Sequence, residues 1–574
     1  MKLTDNLYFR LQLKGTIVLF LFLHFVFFGF AQKYTLKITS NDSILPKSIK
    51  KEAYRKSFSD SALLFLQLEK IKTRLFSDGY IAASFDRVKF DSASVNASLF
   101  LGRKYRINEL YIKGIYASVK RKFHLSDSGI QVKNTVNPAE LSLLYEHIIN
   151  EYENSGYPFA MLISEKVEFN DSSIRLNLKL EKNKLIRFHK IIIKGDAKIS
   201  KAYINRYLSV FEGGIYNEEV VKSISSKITA VRFLSEIRPP EVDFFDDKAD
   251  VYLYLKSKRA NLFNGVVGII PDKNNENKVA LTGNLDLNLL NNFGKGENVF
   301  LKWSRTDKLS QKLDVGFVLP YLFKSPFSIQ SKFNLDKRDT SFMKISGKFG
   351  IDYNFKHNEA ISAFIHKKQS LVLSGESSDT SIYKNSDLLL FGLFYRSLKF
   401  DYVYNPTKGY VFDAGFAGGN RKIIGKSKPY YEAYFFAEYY VPFNRHFVLK
   451  FSSDTKYAFP EEKFYENELF DLGGFNSLRG FDENRFRTSA YSVFTVEQRY
   501  LYEQNSNVFA FFNIAGFRDN TNVKNNLFPY GFGIGTNLST KAGIFSITYA
   551  LGNLPGNILQ FSNSKIHIGY VNRF

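Results

Sequence analysis

The spacing of apolar residues changes near residue 261, and this change divides the chain into two regions. Before it, short stretches of alternating apolar and polar residues are separated by segments in which apolar residues recur three and four positions apart. After it, alternating stretches follow one another with only turn-forming residues between them. Alternation is typical of half-buried strands, and the wider spacing is typical of amphipathic helices. The pattern therefore predicts a mixed α+β region followed by an all-β region.

The clearest unit lies in the middle of the mixed region. Tyr105–Gly114 alternates and ends at a glycine, which predicts a strand and a turn. Asn137 is a good N-cap and Pro138 a good first helical residue, so a helix is predicted to begin there. Two further alternating stretches, Leu162–Phe169 and Ile174–Leu180, predict a hairpin.

The same order of elements recurs on both sides of this unit. Ser77–Tyr80 matches Asn154–Tyr157, and Tyr111–Gly114 matches Ile192–Gly195. Self-similarity of this kind indicates repeated structural units. We therefore expect three β-α-α-β-β repeats, each a small three-stranded sheet with helices on one face, over residues 32–104 (a degenerate copy), 105–184 and 185–260. An open sheet edge in such a unit can accept an extended peptide by strand addition; alternatively, the repeats are spacers.

The all-β region, residues 261–574, is predicted to form an antiparallel barrel. Sixteen strands of ~10 residues would use about 160 residues and leave a similar number for loops. Only a closed barrel lets such strands lie in lipid without unsatisfied backbone groups. A soluble array of β-sandwiches is the alternative. It leaves unexplained the 58 Phe and 35 Tyr residues and the terminal Phe574.

The first 31 residues have the pattern of a secretory signal peptide. Lys2, Arg10 and Lys14 form a basic start, Thr16–Phe28 is apolar, and Gly29–Ala31 supplies small residues before a cleavage point. We expect this segment to be removed, and an uncleaved anchor is the alternative.

Composition excludes several classes of protein. With no Cys, the chain has no disulfide framework and no thiol chemistry. A mean hydropathy of -0.21 excludes a bundle of membrane helices but not a membrane barrel, whose strands alternate. The net charge of +23 is spread along the chain, so a nucleic-acid partner is not expected. A generally Lys-rich proteome, or attraction to anionic lipid and glycolipid phosphates, explains the charge as well. The chain has no G-x-S-x-G, H-E-x-x-H or P-loop motif, so we predict no catalytic residue, no cofactor and no metal.

One loop of the barrel region has an unusual composition. Leu472–Phe481 carries two glycines ahead of Arg479 and one beside it, with Leu478 and Phe481 flanking the arginine. Glycines let the backbone pass close to other structure. An arginine between apolar residues favours a buried, directional partner. The alternative is a flexible surface loop with a solvated arginine.

Together these features resemble the Omp85 superfamily of outer-membrane insertases and two-partner secretion translocators. The repeats resemble its POTRA domains. Five motifs match in order: Leu319–Phe327 resembles the P-Y-L-F segment, Asn405–Tyr410 the N-P-T-x-G-Y turn, Leu472–Phe481 the sixth-loop signature, and Gly531–Gly535 and Gly543–Ala550 the penultimate strands.

The resemblance implies that the sixth loop folds back into the barrel lumen as a latch. The predicted latch residues are Leu478, Arg479, Gly480 and Phe481. Arg479 would contact two inner-wall residues, Glu497 and Asn513. Family members usually carry Asp at the second position, so the asparagine leaves one charged partner and weakens the charge-assisted hydrogen bonding. The alternative for Glu497 is a solvated lumen carboxylate.

The last strand is expected to close the barrel. Phe574 resembles the terminal aromatic residue of outer-membrane targeting signals, and Tyr570 precedes it. The strand would pair with Phe263–Ile270, and Gly569 would weaken that seam because it adds no side chain. Family insertases are thought to open at such a seam; an ordinary closing strand is the alternative.

The resemblance implies an insertion, assembly or translocation factor without covalent chemistry. It would lie in the outer membrane of a Gram-negative bacterium, with its repeats in the periplasm. Three repeats resemble the translocation-and-assembly (TamA-like) branch. A two-partner secretion translocator is the alternative; such pores usually have a Pro-rich linker, whereas Pro46 is the only proline before Pro138. Expected partners are the outer-membrane lipid bilayer, unfolded outer-membrane or secreted proteins, and a periplasmic or inner-membrane protein bound through the repeats, but no nucleic acid. A passive porin or adhesion scaffold would not need the repeats.

Overall fold

The computed structural model describes residues 34–40, 49, 56–58, 60–91, 94–123, 130–136, 138–271, 279–305, 309–356, 358–373, 382–402, 405–460, 464–475, 477–518, 526–540 and 543–572. The predicted signal peptide, residues 1–31, lies outside the described residues, as do Asn137 and Phe574. The chain divides into two compact units, one of residues 1–186 with 216–218 and the other of residues 187–215 with 219–574.

The first unit holds two α+β repeats. The first repeat comprises β1 (Tyr34–Ser40), β2 (Ser57–Phe58), α1 (Ser61–Ser77), β3 (Ser84–Phe90) and β4 (Ser94–Phe100). The second comprises β5 (Arg106–Lys113), α2 (Ala117–Lys122), β6 (Ile130–Val136), α3 (Pro138–Glu153), β7 (Met161–Asn170) and β8 (Ser173–Glu181). Their strand orders are β2-β1-β4-β3 and β6-β5-β8-β7.

Helix α1 shows why these segments fold as they do. The Asp60 carboxylate accepts a hydrogen bond from the Ala62 N–H at 2.9 Å and so caps the helix. The helix buries one face against the sheet, formed by Leu64, Leu68, Ile71 and Leu75. No helix among the described residues is long and apolar enough to cross a bilayer.

The second unit begins with a third repeat. It comprises β9 (Arg187–Lys194), α4 (Lys201–Leu208), α5 (Glu218–Lys222), α6 (Ile224–Ala230), β10 (Leu234–Phe245) and β11 (Lys248–Ser257), with the strand order β10-β11-β9. In all three repeats the first strand runs parallel to the last, which also forms an antiparallel hairpin with the strand before it. This shared topology is that of a repeated unit.

The first two sheets have four described strands, not the three we expected. The additional strand β6 is a short alternating stretch between helices α2 and α3, and it pairs with the outer edge of β5. The two-residue strand β2 does the same against β1. Both lie between the first strand and the last helix of their repeat, where we expected only helices. Strands that are so short and pair on one side only leave a weak pattern in the sequence.

The rest of the second unit is one large antiparallel sheet. Its strands are β12 (Leu262–Pro271), β13 (Val279–Leu290), β14 (Asn298–Arg305), β15 (Gln311–Leu319), β16 (Phe327–Arg338), β17 (Phe342–Lys356), β18 (Glu359–Val372), β19 (Ser386–Phe400), β20 (Gly409–Ile423), β21 (Lys426–Pro442), β22 (Phe447–Pro460), β25 (Ala490–Glu503), β26 (Ser506–Arg518), β27 (Asn526–Leu527), β28 (Tyr530–Ser539), β29 (Gly543–Asn553) and β30 (Lys565–Asn572). A separate hairpin, β23 (Phe470–Leu472) and β24 (Phe486–Thr488), lies in the loop between β22 and β25.

The described part of this sheet has 17 strands, of which 16 are long. The two-residue strand β27 pairs with β26 beside β28, so the count agrees with a sixteen-stranded barrel. The two end strands, β12 and β30, approach each other to within 8 Å between Cα atoms, and the sheet thereby closes on itself. Among the described residues no ladder pair joins these two strands, whereas each follows a continuous ladder on its other side.

Helix α4 of the third repeat packs on two turns of the barrel. The Lys198 carbonyl accepts a hydrogen bond from the Asn291 side-chain amide at 2.9 Å. The ring of Tyr203 meets the ring of Tyr321 edge-on at 5.4 Å, and the Arg206 guanidinium donates to the Lys324 carbonyl at 2.5 Å. Burial raises the pKa of Tyr321, which lies in the turn before β16, to about 12, so its phenol is neutral. These contacts attach the third repeat to the barrel end from which β12 begins.

Candidate functional site

The loop between β22 and β25 folds into the barrel. Leu472 and Leu478 are buried, and they form a small apolar cluster with wall residues such as Tyr491, Ala515 and Phe517. The backbone is shaped by glycine: Gly473 and Gly474 have φ of +120° and +99°, which few other residues adopt. The loop is therefore an ordered part of the interior rather than a flexible surface segment.

Arg479 lies at the centre of this loop and is buried. Its Nη1 donates to Glu497 Oε2 at 2.8 Å, and its Nε donates to Asn513 Oδ1 at 3.1 Å. Its guanidinium also lies 3.5 Å from the centroid of the Phe511 ring, a cation–π contact typically worth about 0.5–2 kcal/mol. The structure thus brings together the three residues that the sequence placed in a latch. Their role in function stays a prediction.

Glycines on the facing strands make room for the loop. A Cβ at Gly480 would lie 2.5 Å from the Gly552 nitrogen, and a Cβ at Gly552 would lie 2.7 Å from the ring of Phe481. A Cβ at Gly531 would overlap the carbonyl oxygen of Arg479. Gly531, the first residue of the Gly531–Gly535 motif, therefore leaves room for the loop backbone, whereas Gly533 and Gly535 leave room for neighbouring parts of the barrel wall.

A polar chain leads from Arg479 across the barrel interior. Glu497 also accepts a hydrogen bond from Arg499 Nε at 2.8 Å, so two arginines share one carboxylate. Arg499 Nη1 in turn approaches Asn405 Oδ1 at 3.4 Å, and Asn507 donates to the same oxygen at 3.2 Å. The sixth-loop motif and the N-P-T turn are thereby connected. Sequence reasoning gave Arg499 no role, although it lies two residues from Glu497 and so on the same face of β25.

Sequence reasoning also missed a second set of loop contacts. Arg421 on β20 forms a buried ion pair with Glu468, with Nε to Oε1 at 2.8 Å. Arg338 on β16 donates to Asp471 Oδ2 at 2.6 Å. The buried Asn467 donates to Ser370 Oγ at 2.8 Å. These contacts hold the base of the loop to a part of the wall distant from Glu497, and no local sequence pattern indicates them.

The loop also touches the last strand of the barrel. The ring of Phe475 lies 5.5 Å from that of His567, and Asp482 pairs with Lys565 at 2.6 Å. Gly569 faces Ser546 on β29, with open space enough that an added Cβ would be in ordinary contact. Tyr570 belongs to β30, but the position of its side chain is not described. The loop therefore contacts β30, the strand at the seam.

Comparison with known proteins agrees with this geometry. The family model described as the Omp85 superfamily domain matches residues 291–565. The outer membrane protein assembly factor BamA of Buchnera aphidicola (subsp. Acyrthosiphon pisum, strain APS) is 27% identical over 158 residues, which are 26% of this chain and 25% of that protein. The matched stretch therefore spans about a quarter of the curated relative.

Two solved structures have a similar fold. CdiB from Escherichia coli matches 90% of this chain and 98% of its own, with a TM-score of 0.55 at 14% identity. CdiB from Acinetobacter baumannii matches 82% of this chain and 90% of its own, with a TM-score of 0.52 at 13% identity. At these identities the likeness concerns the fold, and it agrees with the predicted class of α+β repeats followed by a transmembrane antiparallel barrel.

These relationships confirm the predicted family and fold class. They also confirm the predicted location, the outer membrane of a Gram-negative bacterium with the POTRA-type repeats in the periplasm. Residues 291–565, which form most of the barrel region, are an Omp85 superfamily domain.

Proposed function

We propose that the chain inserts or translocates proteins at the outer membrane without covalent chemistry. The observation that carries the proposal is the sixth loop, which folds inward around Arg479 and contacts β30 at the barrel seam. β12 and β30 are the two end strands of the sheet, and they approach each other to within 8 Å between Cα atoms. An end strand whose neighbour moves away presents a row of N–H and C=O groups that can template an incoming strand. Movement of the loop would release β30 to act in this way.

The seam strand has the surface such a role needs. Ile566 and Ile568 are exposed on β30, on the side facing away from the lumen. An incoming hydrophobic strand would pair with the backbone and cover these side chains. Gly569 carries no side chain that could hold a fixed partner. Local thinning of the bilayer and templating by this edge would together lower the barrier to insertion.

The repeats supply a second edge for unfolded substrates. Strand β7 lies at the edge of the second sheet and exposes four large apolar side chains: Met161, Ile163, Val167 and Phe169. Such an edge favours strand addition by an extended chain. We propose that it receives unfolded outer-membrane or secreted proteins, or a periplasmic or inner-membrane partner. No enzyme activity, cofactor or metal enters this mechanism.

A translocator pore of the two-partner secretion type is the second candidate. The fold likeness to two CdiB structures favours it. In that case the inward loop would have to leave the lumen for an extended exoprotein to pass.

Depletion of the chain followed by quantitative proteomics of the outer membrane tests the proposal. An assembly factor predicts loss of many barrel proteins, and a dedicated translocator predicts loss of a single secreted protein. Re-expression of the intact chain should restore the proteins that were lost, whichever outcome is observed. If depletion changes neither the outer-membrane proteome nor the secreted proteins, both candidates are wrong.

A further inference from the structure

Three hairpin turns at the repeat-side end of the barrel each display an exposed phenylalanine. Phe293 is 75% exposed, Phe323 90% and Phe443 70%. The turns join β13 to β14, β15 to β16 and β21 to β22. Because β12 follows the third repeat directly and the strands alternate in direction, all three turns lie at the end of the barrel where that repeat is attached.

The turn that carries Phe293 is built around a buried carboxylate. Glu297 accepts hydrogen bonds from the Phe293 N–H at 2.6 Å and from the Lys295 N–H at 3.0 Å. The Asn291 side chain accepts from the Gly296 N–H at 2.8 Å. These hydrogen bonds hold the backbone N–H groups of the turn. The phenylalanine ring takes no part in them.

The turn that carries Phe323 is strained. Tyr321, Phe323 and Lys324 have φ of 54°, 51° and 60°, although none is glycine. Such conformations are unfavourable for residues with a side chain and persist only where the surroundings enforce them. Here Ser325 Oγ donates to the Leu322 carbonyl at 2.5 Å, and Arg206 holds the Lys324 carbonyl. The result is a fixed turn that projects Phe323 outward.

The third turn uses an asparagine. Asn444 Oδ1 accepts hydrogen bonds from the N–H groups of His446 and Phe447, both at 2.9 Å. Phe443 directly precedes this hydrogen-bonded turn and is exposed. Glu297, Ser325 and Asn444 thus hold three turns in fixed conformations, and each turn carries an exposed phenylalanine.

Each exposed ring has a cation close to it in sequence. Lys295, Lys324 and Arg445 lie within two residues of their phenylalanines, and all three are exposed. Aromatic pairs at the ends of the neighbouring strands lie close by: Phe327 meets Tyr353 at 5.4 Å, and Phe447 meets Tyr500 at 5.0 Å. Aromatic residues at barrel ends mark the boundary between hydrocarbon and headgroups. The turns begin where this boundary lies.

We propose that these turns form a rim anchor, in which Phe293, Phe323 and Phe443 enter the headgroup layer of the periplasmic phospholipid leaflet. The adjacent cations meet the lipid phosphates, to which an anionic surface attracts them. A protein partner would need a contiguous surface of about 800 Å². The three rings instead stand on separate turns around the rim, as expected for a partner that surrounds the barrel.

Tryptophan fluorescence in vesicles tests the rim anchor. The single tryptophan, Trp303, is first replaced by phenylalanine, and tryptophan is then placed at position 293, 323 or 443 of the full chain. The vesicles contain phosphatidylcholine and phosphatidylglycerol, with bromine near either the headgroup end or the methyl end of the acyl chains. We expect loss of emission that is stronger for the headgroup-end bromine, with emission shifted to shorter wavelength.

Phe245→Trp is the matched control. Phe245 is also exposed, but it lies at the turn between β10 and β11, at the end of the third sheet away from the barrel. Its emission should not change. If the three turn positions behave like this control, or are quenched best by the methyl-end bromine, the rim anchor is wrong. Cysteines carrying an environment-sensitive dye give a second readout at the same positions, because the chain has no native Cys.

Discussion

Arg479 is buried, Arg499 is partly buried, and both donate to one carboxylate, that of Glu497. Burying a charge without compensation is costly. Local charge is therefore unbalanced by one positive unit, and the Phe511 ring and the Asn513 amide oxygen provide only partial compensation. The latch of this chain is held by fewer charge-assisted bonds than an acid at position 513 would provide. Such a moderate attachment suits the loop movement that we propose.

Replacing Arg479 by alanine should release the loop. Breaking a buried ion pair costs about 3–5 kcal/mol when a charge is left unpaired, and Arg499 still pairs with Glu497, so we expect a loss at the low end of that range. Heat-modifiable migration on gels should show a less stable barrel, and complementation should fall. Arg479→Lys, which keeps the charge but not the two-pronged geometry, should be intermediate. Normal migration and full complementation by Arg479→Ala would contradict the latch.

Asn513→Asp should strengthen the latch. The new carboxylate would accept from Arg479 Nε and balance the second arginine, and Thr495, whose Oγ1 now accepts from Asn513, can donate instead. A hydrogen bond between charged groups contributes about 1.5–3 kcal/mol. The barrel should unfold at a higher temperature, and its activity should fall if the loop has to move. The expectation fails if the variant melts at or below the temperature of the parent.

At the residue scale, the sequence predicted the contacts that a motif marks and missed those that only the fold creates. Arg479 and Glu497 could be paired through the sixth-loop signature. Arg421 and Glu468 could not, because they are 47 residues apart and the register of β20 decides that they meet. Their burial follows from the closed sheet rather than from any local pattern.

At the element scale, alternation predicts strands such as Val279–Leu289, Lys344–Tyr353 and Tyr430–Tyr440, but it predicts none over β18. Residues on both faces of β18 break the pattern. Phe364 points inward, where Lys348 lies 3.7 Å from its ring centroid, and Lys367 points outward and pairs with Asp387. Alternation of apolar and polar residues cannot predict a strand that places an aromatic ring in the lumen and an ion pair on the outer surface.

The attachment of helix α4 depends on a glycine in the turn between β13 and β14. A Cβ at Gly296, whose φ is +73°, would overlap the ring of Tyr203. Gly296→Ala should therefore loosen α4, with faster amide exchange there and a cost of about 1–3 kcal/mol from overpacking. Gly425→Ala is the matched control, since Gly425 has φ of +75° and open space around it. Equal exchange of α4 in the two variants would refute the steric explanation.

At the scale of the whole molecule, the fold and the family could be predicted from the order of motifs along the chain. The contacts inside the barrel became visible only in the three-dimensional structure. The predicted repeat boundaries at residues 104, 184 and 260 stay a prediction, although strands of each repeat lie within them. The arrangement that the sequence could not supply is the double attachment of one loop, to Glu497 on the wall and to Lys565 on the last strand. We expect this arrangement to couple the latch to the seam.

Locking the seam with a cross-link shows whether the barrel has to open there. Because the chain has no native Cys, one cysteine on β12 and one at position 569 on β30 can be joined by a short bifunctional reagent without side reactions. Two cysteines placed on β13 and β14, which are already paired, serve as the control. We expect that the locked seam abolishes insertion or translocation, that cleaving the link restores it, and that the control link has no effect. Full activity with the seam locked would show that the barrel does not open there.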